Sequence, residues 1–212
     1  MTLKAIAWDI DGTLVDSEPL HHEALVATCA ESGADLSDLP DQAFRGVHMR
    51  DVWARLAHRL PDGLTFEAWS AAISRYYSAH PERLVAVPGA LAAFEGFAAM
   101  GLAQVCVSNS NRDIVDANLA ALGIADRIVF SISLDDVAEG KPDPTPYIEA
   151  CRRLEVAPRE VVAIEDSPSG ARSARRAGLT VVGYNLAAAY GRDVDIGIDG
   201  FTDLAAVIAS RS

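Results

Sequence analysis

The chain opens on an apolar run, Leu3 to Trp8, that reads as a buried strand. The period then changes. Asp16-Ser17-Glu18-Pro19 has the make-up of a helix start, with Ser17 as cap and acidic and proline residues in the first turn. The predicted helix runs towards Ser32, with Leu20, Ala24, Ala27 and Thr28 on one face and Gly33 as its stop. A second helix is predicted over Met49 to Leu60, with Val52, Leu56 and Leu60 on one stripe, followed by the turn Pro61-Asp62-Gly63. Thr65 caps a third helix carrying Phe66, Trp69, Ile73 and Tyr76 or Tyr77. Nothing between residues 17 and 84 has the period of a strand.

From Pro88 the pattern alternates. Predicted helices over 89–100, 111–122, 145–154 and 168–177 precede predicted strands over 103–107, 128–132, 161–164 and 180–183. Ser110, with Asp113 three residues on, fits a capping box for the second of these helices. A last short strand is predicted near 195–198 and a last helix near 203–210. Alternating strands and helices imply a parallel sheet with right-handed crossovers. The runs at 103–107 and 161–164 are almost wholly apolar, as suits strands covered on both faces. The expected fold class is therefore α/β. Its core comprises residues 1–15 and 86–212, interrupted after the first strand by a helical insertion over 16–85. An inserted helical unit above strand ends suits a lid.

Composition narrows the class of partner. The chain has 212 residues and a formal net charge of -12. That disfavours nucleic acid, which needs lysine and arginine patches. Cys29, Cys106 and Cys151 are far apart and odd in number, with neither zinc spacing nor a disulfide framework, so a reducing compartment is expected. Cys106 falls inside a predicted strand and reads as a small buried apolar group rather than a nucleophile. No signal-type segment and no run of 18 apolar residues is found, so a soluble, cytoplasmic protein without a membrane partner is expected.

The chemistry gathers at strand ends. The first strand runs into Asp9-Ile10-Asp11-Gly12-Thr13. Side chains alternate along a strand, so Asp9 and Asp11 leave the sheet on the same side. Two crowded acids repel unless a cation lies between them or one holds a proton. The first arrangement is a hard-metal site and the second an acid/base pair. A calcium loop is excluded, because Leu20 stands where its closing glutamate belongs. Three further strand ends carry Ser108-Asn109-Ser110, Gly140-Lys141-Pro142-Asp143-Pro144 and Glu165-Asp166-Ser167-Pro168. Each alone could be an ordinary strand-to-helix turn, a solvated lysine or a helix-start acid. Together they put acids, a serine and a lysine at one end of one sheet, where open α/β sheets bind ligands.

In this order, the four motifs resemble those of the haloacid dehalogenase superfamily. Asp16-Ser17-Glu18-Pro19 followed by His21, with Gly140 to Pro144, resembles its β-phosphoglucomutase and sugar-phosphate phosphatase branch. The resemblance implies a Rossmann-like core of three layers with an all-helical cap. It implies Asp9 as nucleophile, Asp11 as general acid and then base, and Ser108, amides near Asn109 and Lys141 as phosphate holders. It implies magnesium held by Asp9, the Asp11 carbonyl, Asp166 and Glu165. Dehalogenases of the superfamily lack the acid at the Asp11 position, so the pattern disfavours that activity.

The cap governs substrate choice. Arg45 to Asp51 resembles the cap loop that approaches the core, yet Met49 stands where the mutases carry an arginine. Arg50 is adjacent, but about 100° away around a helix, and Arg75 is a further candidate for the mutases' cap lysine. His21 matches a hinge residue able to reach the site; His21 and Arg50 are the candidate substrate-binding residues. The expected function is a magnesium-dependent phosphatase of small phosphorylated metabolites, chiefly sugar phosphates, acting as a monomer through an aspartyl-phosphate. A hexose phosphate mutase and a non-catalytic phosphometabolite-binding protein are the alternatives.

Overall fold

The structure is a computed structural model, and it describes residues 2–40, 43–44, 47, 49–186, 191–202 and 204–209. The chain divides into two compact units, Met1–Asp16 with Val85–Ser212, and Ser17–Leu84.

The first unit is built on a six-stranded sheet. Its strands are β1 (Ala5–Trp8), β4 (Ala103–Val107), β5 (Ser131–Ile132), β6 (Val161–Glu165), β7 (Thr180–Tyr184) and β8 (Ile196–Ile198), in the order β5-β4-β1-β6-β7-β8. Every pairing is parallel. The chain winds out from β1 to one edge, returns, and winds to the other, which is the doubly wound order with its switch point at β1. Helices α4 (Ala90–Ala99), α5 (Arg112–Ala121), α6 (Thr145–Leu154), α7 (Pro168–Ala177) and α8 (Leu204–Ala209) supply the crossovers and the closing element. The fold class is thus α/β with a Rossmann-like parallel sheet.

Alternation along β1 feeds two cores. Ala5 and Ala7 pack with Val105, Val107, Ala163, Tyr147 and Ala171 on one side. Trp8 faces the other side, its ring within 6.3 Å of Phe94, 5.9 Å of Phe97 and 6.0 Å of Phe201. Its indole nitrogen donates to Gln104 Oε1 at 2.8 Å, and Gln104 Nε2 donates to the Phe94 carbonyl at 3.0 Å. That chain explains a buried glutamine inside an apolar strand. Trp8→Phe leaves the Gln104 oxygen unpaired and a small void, so about 2 kcal/mol of stability should be lost. Urea unfolding checks this.

Several local expectations are corrected. The N-cap of α5 is Asn111, whose side chain accepts from the Ile114 amide at 3.1 Å, and not Ser110. The helix begins one residue later because the Ser110 hydroxyl is drawn to Asp11. The strand predicted over 128–132 pairs regularly only at Ser131–Ile132, since Arg127 and Ile128 still donate back to Ile124 in the turn after α5. Ser17 holds the N-cap position of α1 (Glu18–Glu31) without a side-chain cap bond. Val15–Asp16 (β2) and Val85–Ala86 (β3) form a two-residue antiparallel ribbon that the hydrophobic pattern is too short to reveal.

The second unit contains α1, α2 (Met49–Leu56) and α3 (Phe66–Ser78), with no strand among its described residues. The helix predicted to reach Leu60 ends at Leu56 and continues as a 3₁₀ turn, Ala57–Arg59. Thr65 caps α3, accepting from the Ala68 amide at 3.2 Å. Val52, Leu56, Trp69, Ile73 and Tyr77 are buried. The buried face of α1 is turned from its expected stripe: Leu25 and Cys29 join Leu20, Ala24 and Thr28, while Ala27 is only half-buried. Arg45, Gly46 and His48 of the expected cap loop lie outside the described residues. No helix among the described residues is long and apolar enough to cross a membrane.

Candidate active site

The carboxyl ends of β1, β4 and β6, the three central strands, converge on one group of side chains. Asp9 follows β1, Ser108 follows β4, and Glu165 closes β6 with Asp166 next. Lys141 comes from the loop before α6. Its amide donates to Asn109 Oδ1 at 2.7 Å, and Asn109 Nδ2 donates to the Lys141 carbonyl at 2.9 Å. The Asn109 side chain therefore braces the lysine loop. A Cβ at Gly140 would lie 2.7 Å from Asn109 Oδ1, which is why the brace needs glycine there.

Lys141 is buried, only 7 % exposed, and its ammonium is fully engaged. Nζ lies 2.6 Å from Asp9 Oδ1 and 2.6 Å from Glu165 Oε1, and it donates to the Val107 carbonyl at 2.7 Å. Burial disfavours its charge, but Asp9 and Glu165 outweigh burial and hold it protonated, above the ordinary lysine range. The Tyr147 hydroxyl also donates to Glu165 Oε1, and the Ser167 hydroxyl donates to Oε2 at 3.2 Å. Glu165 is 0 % exposed. A Cβ at Gly170 would fall 1.9 Å from its carboxylate, so the first turn of α7 must carry glycine to admit it.

Carboxylate oxygens of Asp9, Glu165 and Asp166 all lie within 4.8 Å of one another. One lysine cannot balance three acids. Burial raises Asp9 well above the ordinary carboxyl range, and the neighbouring acids add to this against Lys141. Burial, then Glu165, pushes Asp166 up to about 7, although Lys141 and the Thr13 hydroxyl, 3.3 Å from Oδ1, oppose it. The surplus of negative charge and the hard oxygen donors fit a small divalent cation such as Mg²⁺. Gly12, at φ 83°, passes Asp166 so closely that a Cβ there would be 2.1 Å from Oδ2. Gly12→Ala should therefore displace Asp166, cost about 1–3 kcal/mol from the left-handed backbone alone, and sharply reduce activity. Thermal unfolding and an activity titration with Mg²⁺ check it.

Asp11 lies in different surroundings. Ser108 Oγ donates to its Oδ2 at 3.1 Å and Ser110 Oγ at 2.9 Å, while Asn118 Nδ2 donates to its Oδ1 at 3.0 Å. Its carboxyl faces β4 and α5, outside the cluster of three acids. Two acids two residues apart thus have unlike environments, which is how proteins separate a nucleophile from an acid/base. Spacing alone could not find Ser110, Asn118 or Tyr147, which meet their partners 99, 107 and 18 residues away. Cys106 is fully buried, and burial pushes its thiol up.

His21 and Arg50 belong to the helical unit. There the His21 ring lies 4.5 Å from that of Tyr77, and the Arg50 guanidinium lies 4.4 Å over Phe66.

Fold and site together define a hydrolase-type α/β protein with carboxylates and a lysine at a sheet switch point. A family model described as haloacid dehalogenase-like hydrolase matches residues 3–178, and the chain belongs to that family. It is 32% identical over 186 residues to the validoxylamine A 7'-phosphate phosphatase of Streptomyces hygroscopicus, covering 85% of this chain and 84% of that protein. It is 30% identical over 199 residues to a phosphoglycolate phosphatase of Thiobacillus denitrificans, covering 87% and 86%. Among solved structures, CbbY of Rhodobacter sphaeroides in complex with phosphate superposes with a TM-score of 0.84 at 27% identity, over 96% of each chain.

Proposed function

We propose that this hydrolase is a magnesium-dependent phosphatase of small phosphorylated metabolites, sugar phosphates foremost, working through an aspartyl-phosphate. One observation carries the reading: Asp9 shares a buried cluster with Lys141, Glu165 and Asp166, while Asp11, two residues on, is held separately by Ser108, Ser110 and Asn118. The phosphatases named above, both similar to this chain over most of their length, support it.

In this mechanism Asp9, Asp166 and the Asp11 carbonyl would hold Mg²⁺, with Glu165 beside them. When bound, the ion neutralises charge on the phosphoryl oxygens. Ser108, amides near Asn109, and Lys141 hold the phosphoryl group; the Asn109 side chain itself is committed to the lysine loop. A carboxylate oxygen of Asp9 attacks phosphorus, and the bond from phosphorus to the leaving oxygen breaks. Asp11 gives its proton to that oxygen. It then takes a proton from water, whose oxygen displaces Asp9 and releases inorganic phosphate. The helical unit acts as the cap, with His21 and Arg50 reading the rest of the substrate.

The test is phosphate release from a panel of sugar phosphates and phosphoglycolate, with and without Mg²⁺. Metal-dependent release on one or more members is expected. Isomer formation from β-glucose 1-phosphate with a bisphosphate primer, with little phosphate released, would make the protein a mutase instead. Silence across the panel would favour a binding role.

A further inference from the structure

We infer that Asn118 is the positioning residue for the proton-transfer step: its side-chain amide fixes which oxygen of Asp11 carries the proton. The inference rests on the reading of Asp11 as general acid. Asn118 sits within α5, 0 % exposed, on the buried face that also carries Ile114, Val115 and Leu119. Asparagine is a mediocre helix former, and a buried amide is costly unless paired. An aliphatic residue would serve packing better at this place. The amide reaches instead across 107 residues of sequence to Asp11 Oδ1, at 3.0 Å.

The side-chain donors to Asp11, from Ser108, Ser110 and Asn118, are not equivalent. An amide N–H can only donate, whereas a hydroxyl can donate or accept. With the amide oriented as observed, Oδ1 of Asp11 is the acceptor, which favours placing an acidic proton on Oδ2, the side of Ser108 and Ser110. Those hydroxyls can turn to accept when Oδ2 is protonated. In the proposed mechanism Ser108 gives its donor to the phosphoryl group, and Ser110 can follow either protonation state. The Asn118 contact is the one that stays constant through the cycle. Losing it frees the carboxyl to rotate and to carry its proton on either oxygen, which weakens proton delivery to a poor leaving group and matters less for a good one.

The experiment measures kcat/KM with Mg²⁺ on a series of substituted phenyl phosphates that differ in the pKa of the phenol released. This parameter reports the steps through formation of the aspartyl-phosphate. Asn118→Leu, which keeps the volume and removes the donor, should lose ~10- to 100-fold on the poorest leaving group and far less on p-nitrophenyl phosphate. The dependence on leaving-group pKa should steepen in the same direction as in Asp11→Asn. If Asn118→Leu does not fold, Asn118→Ser, whose hydroxyl is too short for the same reach, should steepen it likewise. An equal loss across the series means a merely structural role and overturns the inference, as does a faster rate on the poorest leaving group. Asp11→Asn with the parent's slope overturns the reading of Asp11 beneath it. A steepened Asp11→Asn beside an unchanged Asn118→Leu overturns the role of Asn118 alone.

Discussion

Asp9→Asn is expected to remove turnover, on the order of 10³-fold or more, while the protein still folds and melts cooperatively. The substitution keeps the volume and planarity of the side chain and deletes both its charge and its nucleophilic oxygen pair. An amide oxygen can still accept from Lys141 Nζ, which lies 2.6 Å from Asp9 Oδ1. The loop therefore keeps a partner at that point. The charge balance improves as well, since the cluster falls from three acids to two around the single lysine. Stability should be unchanged or slightly higher in metal-free protein, a result opposite to that of most changes at a buried ion pair. Phosphate release and circular dichroism on the same preparation separate the two effects. Near-normal turnover by the variant would remove Asp9 as the nucleophile.

The sequence makes the frame of this site legible because its first layer obeys local rules. An apolar strand followed by an acid, a serine or a glutamate is visible in the chain, and so are the bounds of α6 and α7, Thr145–Leu154 and Pro168–Ala177, the second from Ser167 as cap and Pro168 at its first position. The supporting layer obeys tertiary rules. Ser110 looks like a helix cap by spacing, yet its hydroxyl serves Asp11 because β1 and β4 are neighbours. Tyr147 and Asn118 read as points on amphipathic helices, where an aromatic or an asparagine has many ordinary uses. Glu165 reads as a metal ligand by position; its buried carboxylate also takes Lys141, Tyr147 and Ser167, so it anchors the lysine. Glycine was the one available hint of that closeness: Gly12 and Gly170 stand where any side chain would collide with an acid.

Lys141→Met tests the electrostatic half of the site and should be the most destabilising of these changes. It preserves an unbranched side chain in a buried slot and removes the cation that Asp9 and Glu165 share. Removing one partner of a buried ion pair strands the other, at a cost of about 3–5 kcal/mol. Here two carboxylates lose their counter-charge at once and Asp166 adds a third negative neighbour. Two remedies remain, and each has a measurable sign. Protons are the first. The folded-state pKa of Asp9 and of Asp166 already lies above the unfolded value, Asp166 at about 7, and loss of Lys141 removes a group that lowers both. Acids raised on folding contribute stability that is present below their unfolded pKa, near 4, and is lost as pH rises through the folded one. The variant should therefore be most stable at mildly acid pH and lose stability steadily up to pH 7 and beyond, more steeply than the parent. A divalent cation is the second remedy. Mg²⁺ at pH 8 should raise the Tm of Lys141→Met by more than it raises that of the parent, because it fills a larger charge deficit. Activity should stay lost even then, since the ion can restore the balance of charge but not the ammonium that the proposed mechanism assigns to the phosphoryl group. A flat pH profile of stability, or equal Mg²⁺ shifts in parent and variant, would mean that the three acids do not share one field.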